Sequence, residues 1–435
     1  MTEPRSSDYS FVSIVFESER SPTTDIKDIV TDVDIFEHLT LPYLTGNMII
    51  LDDSSFVERA DILGGEKIII KVKSSRPGSV TITKTFYISK ISRAKNVNSN
   101  SRTVLIELIE DIGYIATLQN VNKKYQGKFT DMVKAICGNY LGRSLSSSNT
   151  DKQVTKVIVP NLDPIETILW LSKRATTKEG YPFYCFSALT DDIIRFGDLK
   201  TMLDKSPINE DIPYVLSSEA STAADFEVAR RQTVKNYKFN SSDDLHLLIK
   251  KGLIGADYRF IDTFNNKQNN FDFDVIRDFV KRLDISGPQT RHLVSNKYLL
   301  NGIPFNELKS RSITMIGANA AFKNLNDEYI SSFGECQIIS DYKGMIVSRA
   351  MDAIMKKAPM EIVVNGVDYL DGNKYTTVGS NIKIQVLKTQ PEFTTTSPFD
   401  AKKSGNYLIY ATRHMFKKEG YDLAIKGIRL TNLKP

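Results

Sequence analysis

Histidine and cysteine are the residue types in this sequence best able to bind a metal or act as nucleophiles. The four histidines are far apart and never pair at the spacing of metal ligands: His38, His246, His292 and His414. The three cysteines lack a CxxC motif and a neighbouring histidine: Cys137, Cys185 and Cys336. Zinc sites and redox motifs need closely spaced ligands. The sequence therefore predicts structural histidines, buried reduced thiols and no metal site.

Acidic pairs and a glycine-rich segment are the next candidates for chemistry. Asp52-Asp53 and Asp191-Asp192 lie in turn segments, where aspartate favours the local backbone geometry. The segment Gly64-Gly65-Glu66-Lys67 lacks the spacing and the Ser/Thr of a phosphate-binding loop, and it precedes a strand where that motif precedes a helix. No G-x-S-x-G motif is present. We therefore predict no catalytic residue and no cofactor site.

Aromatic and basic residues offer a possible nucleic-acid surface. The run Tyr181–Phe186 could stack on bases, but an aromatic strand in a sheet-rich protein usually belongs to the core. Basic residues occur mostly as pairs at strand ends and in loops: Arg230-Arg231, Lys250-Lys251, Lys356-Lys357, Lys402-Lys403 and Lys417-Lys418. Such pairs are typical of solvent-exposed charge that protects strand edges from pairing with other chains. The alternative is that they line a channel. A net charge of +5, spread over the chain, does not by itself indicate a nucleic-acid binder.

Length and composition indicate a multidomain protein rich in β-sheet. With 435 residues, 41% of them hydrophobic, the chain is too long for one compact core, and roughly two to four domains are expected. Twenty-two Phe and nineteen Tyr against one Trp favour sheet. The first residues show no secretory signal, and no stretch is apolar over the length of a membrane span. We expect a soluble protein made in a reducing cytoplasm.

Alternating residues predict an antiparallel sheet domain at 8–118. Its predicted strands are Phe11–Glu17, Asn47–Leu51, Lys67–Lys73, Val80–Ser92 and Arg102–Glu110. A short helix is expected within Asp53–Ile62, capped by Asp53 or Ser54. This helix would cover the open face of a small barrel or sandwich.

Residues 119–205 predict a mixed α/β domain built around Asp163–Asp198. Asp163 is placed to cap a helix, Pro164 suits its first position, and Glu166 puts negative charge in the first turn. The other predicted elements are a helix from Thr130, as its cap, to Tyr140, a linker at 142–151, and strands at 154–160, 181–189 and 193–196.

The rest of the chain predicts a second sheet domain, formed by 225–264 and 361–435 and divided by a mixed insertion at 265–360. Its predicted strands are 226–239, 245–250, 257–264, 361–364, 380–387, 405–416 and 421–430, the last three as a meander. Predicted helices of the insertion are 273–283, 304–308 and 324–333, and 344–357 is either one helix or a strand that runs into a helix. The fold class is then α+β, mainly antiparallel β, with two tube-type β-barrel or sandwich domains and mixed α/β insertions. The order of elements leads to the hypothesis of a duplicated sheet unit.

Two segments resemble the baseplate hub proteins of contractile-tailed, myovirus-type bacteriophages and the hub part of the spike proteins of related injection machines. One is the helix, aromatic strand, acidic turn and short strand of Asp163–Asp198. The other is the terminal hairpin, in which the family pattern is matched at Gly405, Tyr407, His414, Gly420 and Tyr421.

The resemblance implies a structural protein of the virion without catalytic residues, assembled in the host bacterial cytoplasm. It implies a homotrimer in which two tube-like domains per chain form a pseudo-sixfold ring. This ring adapts a hexameric tail tube to a trimeric central spike, contacts other baseplate proteins, and surrounds the channel through which DNA passes in transit. Because no spike or lytic segment precedes Pro435, a separate spike partner is implied, and stable membrane insertion is not.

Two other classes of function remain open at this stage. A cell-wall hydrolase could act through two carboxylates that only the fold brings together. A nucleic-acid or carbohydrate-binding module could use exposed aromatic side chains, and salt-dependent binding of the isolated chain would distinguish a nucleic-acid binder from a scaffold.

Overall fold

The computed structural model of the chain describes residues 9–53, 55–76, 78–96, 102–148, 151, 155–216, 233–239, 245–262, 267–275, 277–278, 299–304, 312–317, 329–330, 339–356, 359–370, 377–388, 399–400, 403–418 and 420–429. Within these residues antiparallel strands predominate over helices, which confirms the predicted fold class. None of the described helices has the length and apolar character of a membrane span. The domain boundaries at 118, 205, 264 and 361 stay predictions.

The first part of the chain forms long strands that alternate between buried and half-buried residues. Its elements are β1 Tyr9–Glu17, β2 Thr24–Asp25, β3 Val30–His38, β4 Thr45–Asp52, α1 Phe56–Arg59, β5 Lys67–Ser74, β6 Ile82–Asn96, β7 Arg102–Glu110 and α2 Asp111–Thr117. All five predicted strands of this region are present, whereas β3 and α2 were not predicted. The predicted cap of α1 was wrong: the carboxylate of Asp52 accepts hydrogen bonds from the backbone N–H groups of Phe56 and Val57, at 2.7 and 3.2 Å.

The middle of the chain is a mixed α/β region, as predicted. Its elements are β8 Lys124–Gly127, α3 Phe129–Ile136, β9 Leu145–Ser147, β10 Thr155–Ile158, α4 Pro164–Ser172, β11 Phe183–Phe186, β12 Ile194–Asp198, α5 Leu199–Leu203 and β13 Tyr214–Leu216. The cap of α4 is confirmed, because Asp163 Oδ1 accepts from the N–H of Glu166 at 2.8 Å. The cap predicted for α3 was wrong. Thr130 lies inside its first turn and donates to buried Asp151 at 2.8 Å.

The last part of the chain contains most of the corrections. Its elements are β14 Val234–Phe239, α6 Leu245–Lys250, β15 Gly255–Asp262, β16 Lys267–Asp274, β17 Leu299–Leu300, β18 Ile303–Pro304, β19 Ser312–Gly317, β20 Tyr329–Ile330, α7 Ile339–Met355, β21 Met360–Asn365, β22 Asn381–Val386, β23 Gly405–Lys417 and β24 Gly420–Ile428. The strand predicted at 245–250 is a helix, since a short apolar run fits either structure. Residue pairs 273–274 and 329–330 and residue 304, predicted as helical, lie in strands. The remainder of those three predicted helices lies almost wholly outside the described residues, as do 226–232 of the first predicted strand. The ambiguous segment at 344–357 lies in one helix, α7.

One large sheet contains thirteen strands of the described chain, in the order β14-β21-β24-β23-β3-β4-β7-β6-β5-β1-β2, with β22 and β13 attached beside β23. The last half of β23, Ala411–Lys417, pairs antiparallel with β3 and so joins the two predicted sheet domains. The predicted meander β22-β23-β24 is confirmed. Within the described residues this sheet is open and does not close into a barrel. Strand β15, assigned from sequence to the second sheet domain, pairs instead with β16 and β19 in a separate sheet.

Twelve of the thirteen strands of the large sheet form two units with the same strand order, and β2 lies outside both. The N-terminal unit is β1 and β3–β7, and the C-terminal unit is β13, β14 and β21–β24. If the strands of each unit are numbered one to six along the chain, both units pair in the order two, three, six, five, four, one. Four of the five pairings are antiparallel in both units, and only the pairing of the first strand differs in direction. The shared strand order supports the duplication hypothesis.

Irregular features recur at equivalent positions of the two units. Strand two has a register shift at Val30/Asp32 in one unit and at Val234/Asn236 in the other. Strand five has a register shift at Ile88/Lys90 in the N-terminal unit and at Ile409/Ala411 in the C-terminal unit. Shared bulges are a stronger sign of common geometry than strand order alone, because each one bends its strand locally.

The turn that begins strand four also recurs, and it contains the glycine segment singled out from sequence. Gly65 has φ of 85° and donates its N–H to the carbonyl of Ile88 at 2.7 Å. Gly379 has φ of 81° and donates to the carbonyl of Ile409 at 3.0 Å. A positive φ favours glycine. The segment therefore begins a strand, as predicted, and its counterpart does the same.

Candidate assembly surface

The outer face of the large sheet extends across the strands of both units. Along each strand its side chains alternate with residues of the buried core, as in β7, where Leu105, Glu107 and Ile109 point outward between buried neighbours. The charged residues on this face include Glu17, Asp32, Asp34, Lys67, Lys71, Lys73, Glu107, Glu361, Arg413, Lys417, Asp422 and Lys426. Acidic and basic side chains are interspersed across both units.

Cross-strand ion pairs engage much of this charge. Lys67 lies 2.9 Å from Glu17, and Arg413 lies 2.7 Å from Asp34 across the junction of β3 and β23. Exposed pairs of this kind contribute roughly 0–1 kcal/mol each to stability. Their larger effect is on the surface potential, because a cation paired with a carboxylate is less available to a phosphate. The outer face therefore carries basic and acidic side chains together, and several of them are paired.

The opposite face of the junction holds a buried polar cluster of Glu37, His414 and Tyr421. His414 Nε2 lies 3.2 Å from Glu37 Oε1, and His414 Nδ1 lies 2.6 Å from the hydroxyl of Tyr421. Glu37 also accepts from the N–H of Leu189 at 2.6 Å and from the hydroxyl of Thr412 at 2.8 Å. The Nε2–H group of His414 donates to Glu37, and Nδ1 of His414 shares the second hydrogen bond with the hydroxyl of Tyr421.

This cluster has the hydrogen-bond connectivity of a catalytic triad, but a substrate could not reach it from the surface. Glu37 is 1% exposed, and His414 and Tyr421 are fully buried. Burial opposes the charge of Glu37, yet His414 and the hydrogen bonds to the carboxylate lower the pKa of Glu37 to about 2. Burial and the charge of Glu37 raise the pKa of Tyr421 well above its usual value. The cluster fastens the C-terminal unit to the N-terminal unit and, through Leu189, to the mixed region.

A second polar contact fixes the mixed region to the N-terminal unit. The ammonium group of buried Lys84 on β6 lies 3.3 Å from Glu110 and 2.8 Å from Asp192. Burial raises the pKa of Glu110. For Asp192 desolvation acts in the same direction, but the hydrogen bond to Lys84 and the charge of Lys84 outweigh it and lower the pKa. Asp191, beside it, holds Arg195 at 3.0 Å. Both acidic pairs found in the sequence lie at turns, with Asp52 as the helix cap described above.

A cleft of about 510 Å³ lies between α4, β11, α7 and β23. Its carboxylate, Asp352, accepts from the hydroxyl of Tyr184 at 2.7 Å and from Lys356 at 2.8 Å. Lys356 also lies over the ring of Tyr410, 4.9 Å from its centre. A hydrolase of the two-carboxylate type needs a second acid nearby. Asp352 is the one carboxylate among the cleft-lining residues that the structure describes.

The remaining residues singled out from sequence are dispersed. His38 accepts from the backbone N–H of Thr40 at 3.2 Å, and burial with nearby Lys356 lowers its pKa. Cys137 and Cys185 are buried thiols, and burial raises the pKa of both. His292, Cys336 and the side chain of His246 lie outside the described part. The described His, Cys, Asp and Glu residues form no cluster of three that could hold a metal.

The aromatic run Tyr181–Phe186 belongs to the core, as predicted for an aromatic strand in a sheet-rich protein. Phe183, Tyr184 and Phe186 are each at most 5% exposed. They pack in a hydrophobic cluster with inner-face residues of the C-terminal unit, such as Ile382 and Leu423. A stacking platform for bases at this strand is therefore excluded.

Solved structures share this arrangement over nearly the whole chain. A tail protein from Neisseria meningitidis MC58 superposes with a TM-score of 0.54 at 10% identity, covering 97% of this chain and 96% of that one. The 43 kDa tail protein of prophage MuSo2 from Shewanella oneidensis superposes with a TM-score of 0.50 at 10% identity, covering 97% and 100%. The chain has the fold of phage tail proteins. No protein-family model matches it, and no curated protein matches it in sequence.

Proposed function

We propose that this protein is a structural baseplate hub protein of a contractile phage tail. In this proposal it forms a homotrimeric ring with pseudo-sixfold symmetry. The ring adapts the hexameric tail tube to a trimeric central spike, contacts other baseplate proteins, and surrounds the channel for DNA ejection. The tail-protein fold and the sequence resemblance of the two segments support this role.

The observation that carries the proposal is the repeated strand order of the two sheet units. Two units with the same strand order and two register shifts at equivalent positions give one chain two similar segments of a ring. A cyclic trimer of such chains presents six similar segments to a sixfold tube and keeps threefold symmetry for a spike. Within the chain the two segments are already joined edge to edge by β3 and β23.

The outer face of the large sheet is the proposed channel wall. The inner face of the C-terminal unit packs against the mixed region and α7, since Ile362 and Leu423 share one buried cluster with Phe186 and Val347. Among the described residues, the mixed region and α7 thus cover the inner face of the C-terminal unit, and we assign the lumen to the opposite, outer face of the sheet. A wall that passes DNA must not hold phosphates, because each unpaired Lys or Arg that contacts one adds to affinity. The ion pairs of the outer face, such as Lys67 with Glu17 and Arg413 with Asp34, lower the number of cations available to phosphate and so support this assignment.

The native mass of the purified chain tests the proposal. Light scattering should give a stable species near three times 49.1 kDa, about 147 kDa. A monomer of 49.1 kDa that forms no complex after addition of tube and spike proteins would refute the hub role. Measurable lysis of cell wall, abolished by substitution of an acidic residue, would favour the hydrolase alternative instead.

A further inference from the structure

The cleft between α4, β11, α7 and β23 carries more positive than negative charge, although much of its wall is apolar. Among the described residues that line it, the basic side chains are Lys173, Arg349 and Lys356, and the acidic one is Asp352. Its volume of about 510 Å³ lies within the range of roughly 300–1,000 Å³ that ligand-binding clefts occupy. Neither the proposed ring nor the proposed channel gives this cleft a role.

The charged groups inside the cleft satisfy one another. Asp352 Oδ1 accepts a hydrogen bond from the hydroxyl of Tyr184 at 2.7 Å, and Asp352 Oδ2 accepts from the ammonium group of Lys356 at 2.8 Å. Lys356 also lies 4.9 Å from the centre of the Tyr410 ring. Because this network neutralises the carboxylate of the cleft, the charge that remains for a ligand is positive.

The remaining charge belongs to Lys173 and Arg349. Lys173 directly follows α4, Arg349 lies on α7, and both side chains are exposed. Neither forms an ion pair with a carboxylate of the described chain, whereas Lys67 and Arg413 on the outer face of the sheet do. An unpaired arginine can bind a carboxylate through two parallel hydrogen bonds, and an unpaired lysine adds a point charge. The rim of the cleft therefore suits an anion.

The interior of the cleft offers an apolar wall and a hydroxyl group. Leu169 and Phe183 line it as part of the surrounding hydrophobic cluster. Ser348 on α7 is 6% exposed, and no described residue forms a hydrogen bond with its hydroxyl. Ser172, which also lines the cleft, differs because its hydroxyl donates to the carbonyl of Ile168 at 2.7 Å. A polar group that stays without a partner when buried is costly, so the hydroxyl of Ser348 is available to a polar atom of a ligand.

We propose that the cleft binds an acidic segment of another polypeptide. An aromatic or aliphatic side chain of that segment packs against Leu169 and Phe183, a backbone group forms a hydrogen bond with Ser348, and its Asp or Glu side chains pair with Lys173 and Arg349. An apolar centre with a charged rim is the usual anatomy of a protein–protein contact. The choice of a polypeptide also rests on the proposed function, since a baseplate scaffold must hold other proteins.

The position of the cleft keeps such a segment away from the proposed channel. Residues of α4, β11 and α7, such as Ile168, Phe186 and Val347, pack in one hydrophobic cluster with the inner-face residues Ile382 and Leu423 of the C-terminal unit. The lumen is assigned to the opposite, outer face of the sheet. A partner bound in the cleft would therefore leave the channel open.

A random peptide library displayed on yeast and selected on the full-length chain tests the inference. Enriched sequences should combine aspartate or glutamate with an aromatic or aliphatic residue, and a fluorescent synthetic peptide of the enriched sequence then gives a Kd by fluorescence polarisation. Arg349→Glu and Lys173→Glu should each raise this Kd roughly tenfold or more, because charge reversal brings like charges together. Ser348→Ala removes one hydrogen bond and should raise the Kd roughly twofold to tenfold.

The matched control is Lys343→Glu. Lys343 is exposed and lies on α7, as Arg349 does, but it does not line the cleft. The same change of charge at this position should leave the Kd unchanged. Far-UV circular dichroism and the native mass of every variant should match those of wild type, which separates lost binding from lost structure.

The inference is overturned if no peptide is enriched, if the enriched peptides are neutral or basic, or if Lys343→Glu raises the Kd as much as Arg349→Glu. Saturable binding of dodecanoate that Arg349→Glu abolishes, without any enriched peptide, would replace the polypeptide by a small amphiphilic acid. If peptides fail but light scattering gives the trimer, the hub proposal stands without the cleft site. If peptides bind in the cleft of a chain that stays monomeric with tube and spike proteins, the hub proposal fails and the cleft site stands.

Discussion

Replacing Glu37 by alanine should destabilise the protein strongly, because this carboxylate joins three parts of the chain at one buried point. The substitution would leave three buried donors without their acceptor: the N–H of Leu189, the hydroxyl of Thr412 and the Nε2 group of His414, which lie 2.6, 2.8 and 3.2 Å from the carboxylate. Each unsatisfied buried donor costs about 1–3 kcal/mol, and breaking a buried ion pair costs about 3–5 kcal/mol in all. We expect a loss of about 3–5 kcal/mol.

The matched control is Asp34→Ala, three residues earlier on the same strand but on the outer face. Asp34 pairs with half-exposed Arg413, so its loss should cost about 0–1 kcal/mol. Glu37→Gln keeps the shape and one acceptor but removes the charge, and its cost should fall between the two, about 1–2 kcal/mol.

Urea denaturation followed by far-UV circular dichroism measures these differences. Protein concentration must be equal in all samples, since association shifts apparent stability. The order of midpoints should be wild type, then Asp34→Ala, then Glu37→Gln, then Glu37→Ala. Equal midpoints for Glu37→Ala and Asp34→Ala would refute the claim that the buried cluster fastens the two units together.

Three further predictions concern acid, glycine and the helix cap. Since the folded-state pKa of Glu37 is about 2 and its ordinary value is 4.5, its contribution is present above pH 4.5 and is lost as pH falls toward 2. The urea midpoint of wild type should therefore fall across that window by more than the midpoint of Glu37→Gln, and parallel curves would contradict this. Gly379→Ala should cost about 2–4 kcal/mol, because φ is positive and the new Cβ would lie 2.4 Å from the ring of Phe186. Gly65→Ala meets a movable hydroxyl at 3.0 Å and should cost about 1–2 kcal/mol, so equal costs in urea denaturation would show that the contact is irrelevant. Asp163→Ala removes the cap of α4 and should lower the thermal midpoint by an amount equivalent to about 1 kcal/mol, and an unchanged midpoint would show that the cap is dispensable.

Much of the fold could be predicted from local pattern. The strands of the N-terminal unit, the terminal meander and the Asp163 cap follow from alternation and capping residues that each segment contains. The strand β3 could not be found in the same way, because Asp32, Asp34 and Glu37 interrupt its apolar residues. Two of these acids face outward, and Glu37 is tolerated in the core because His414, far along the chain, meets it there.

The assembly surface could not be predicted because it depends on long-range pairing. Alternation of polar and apolar residues identifies strands with one polar and one apolar face. It does not show which of these faces the rest of the chain covers. The similarity of the two units lies in strand order and in the bulges at Val30/Asp32 and Val234/Asn236, which constrain backbone geometry and leave no pattern of identical residues. The cap at Asp52 was missed because Asp52 ends β4, and its carboxylate reaches across three intervening residues to the N–H groups of Phe56 and Val57.

The measurement that most directly tests the central claim is electron microscopy of the purified chain, with averaging that imposes no symmetry. The account predicts a threefold particle with a central hole surrounded by six similar lobes, two from each chain. A particle without a hole, a ring with lobes that do not occur in pairs, or monomers that persist after addition of tube and spike proteins would contradict it.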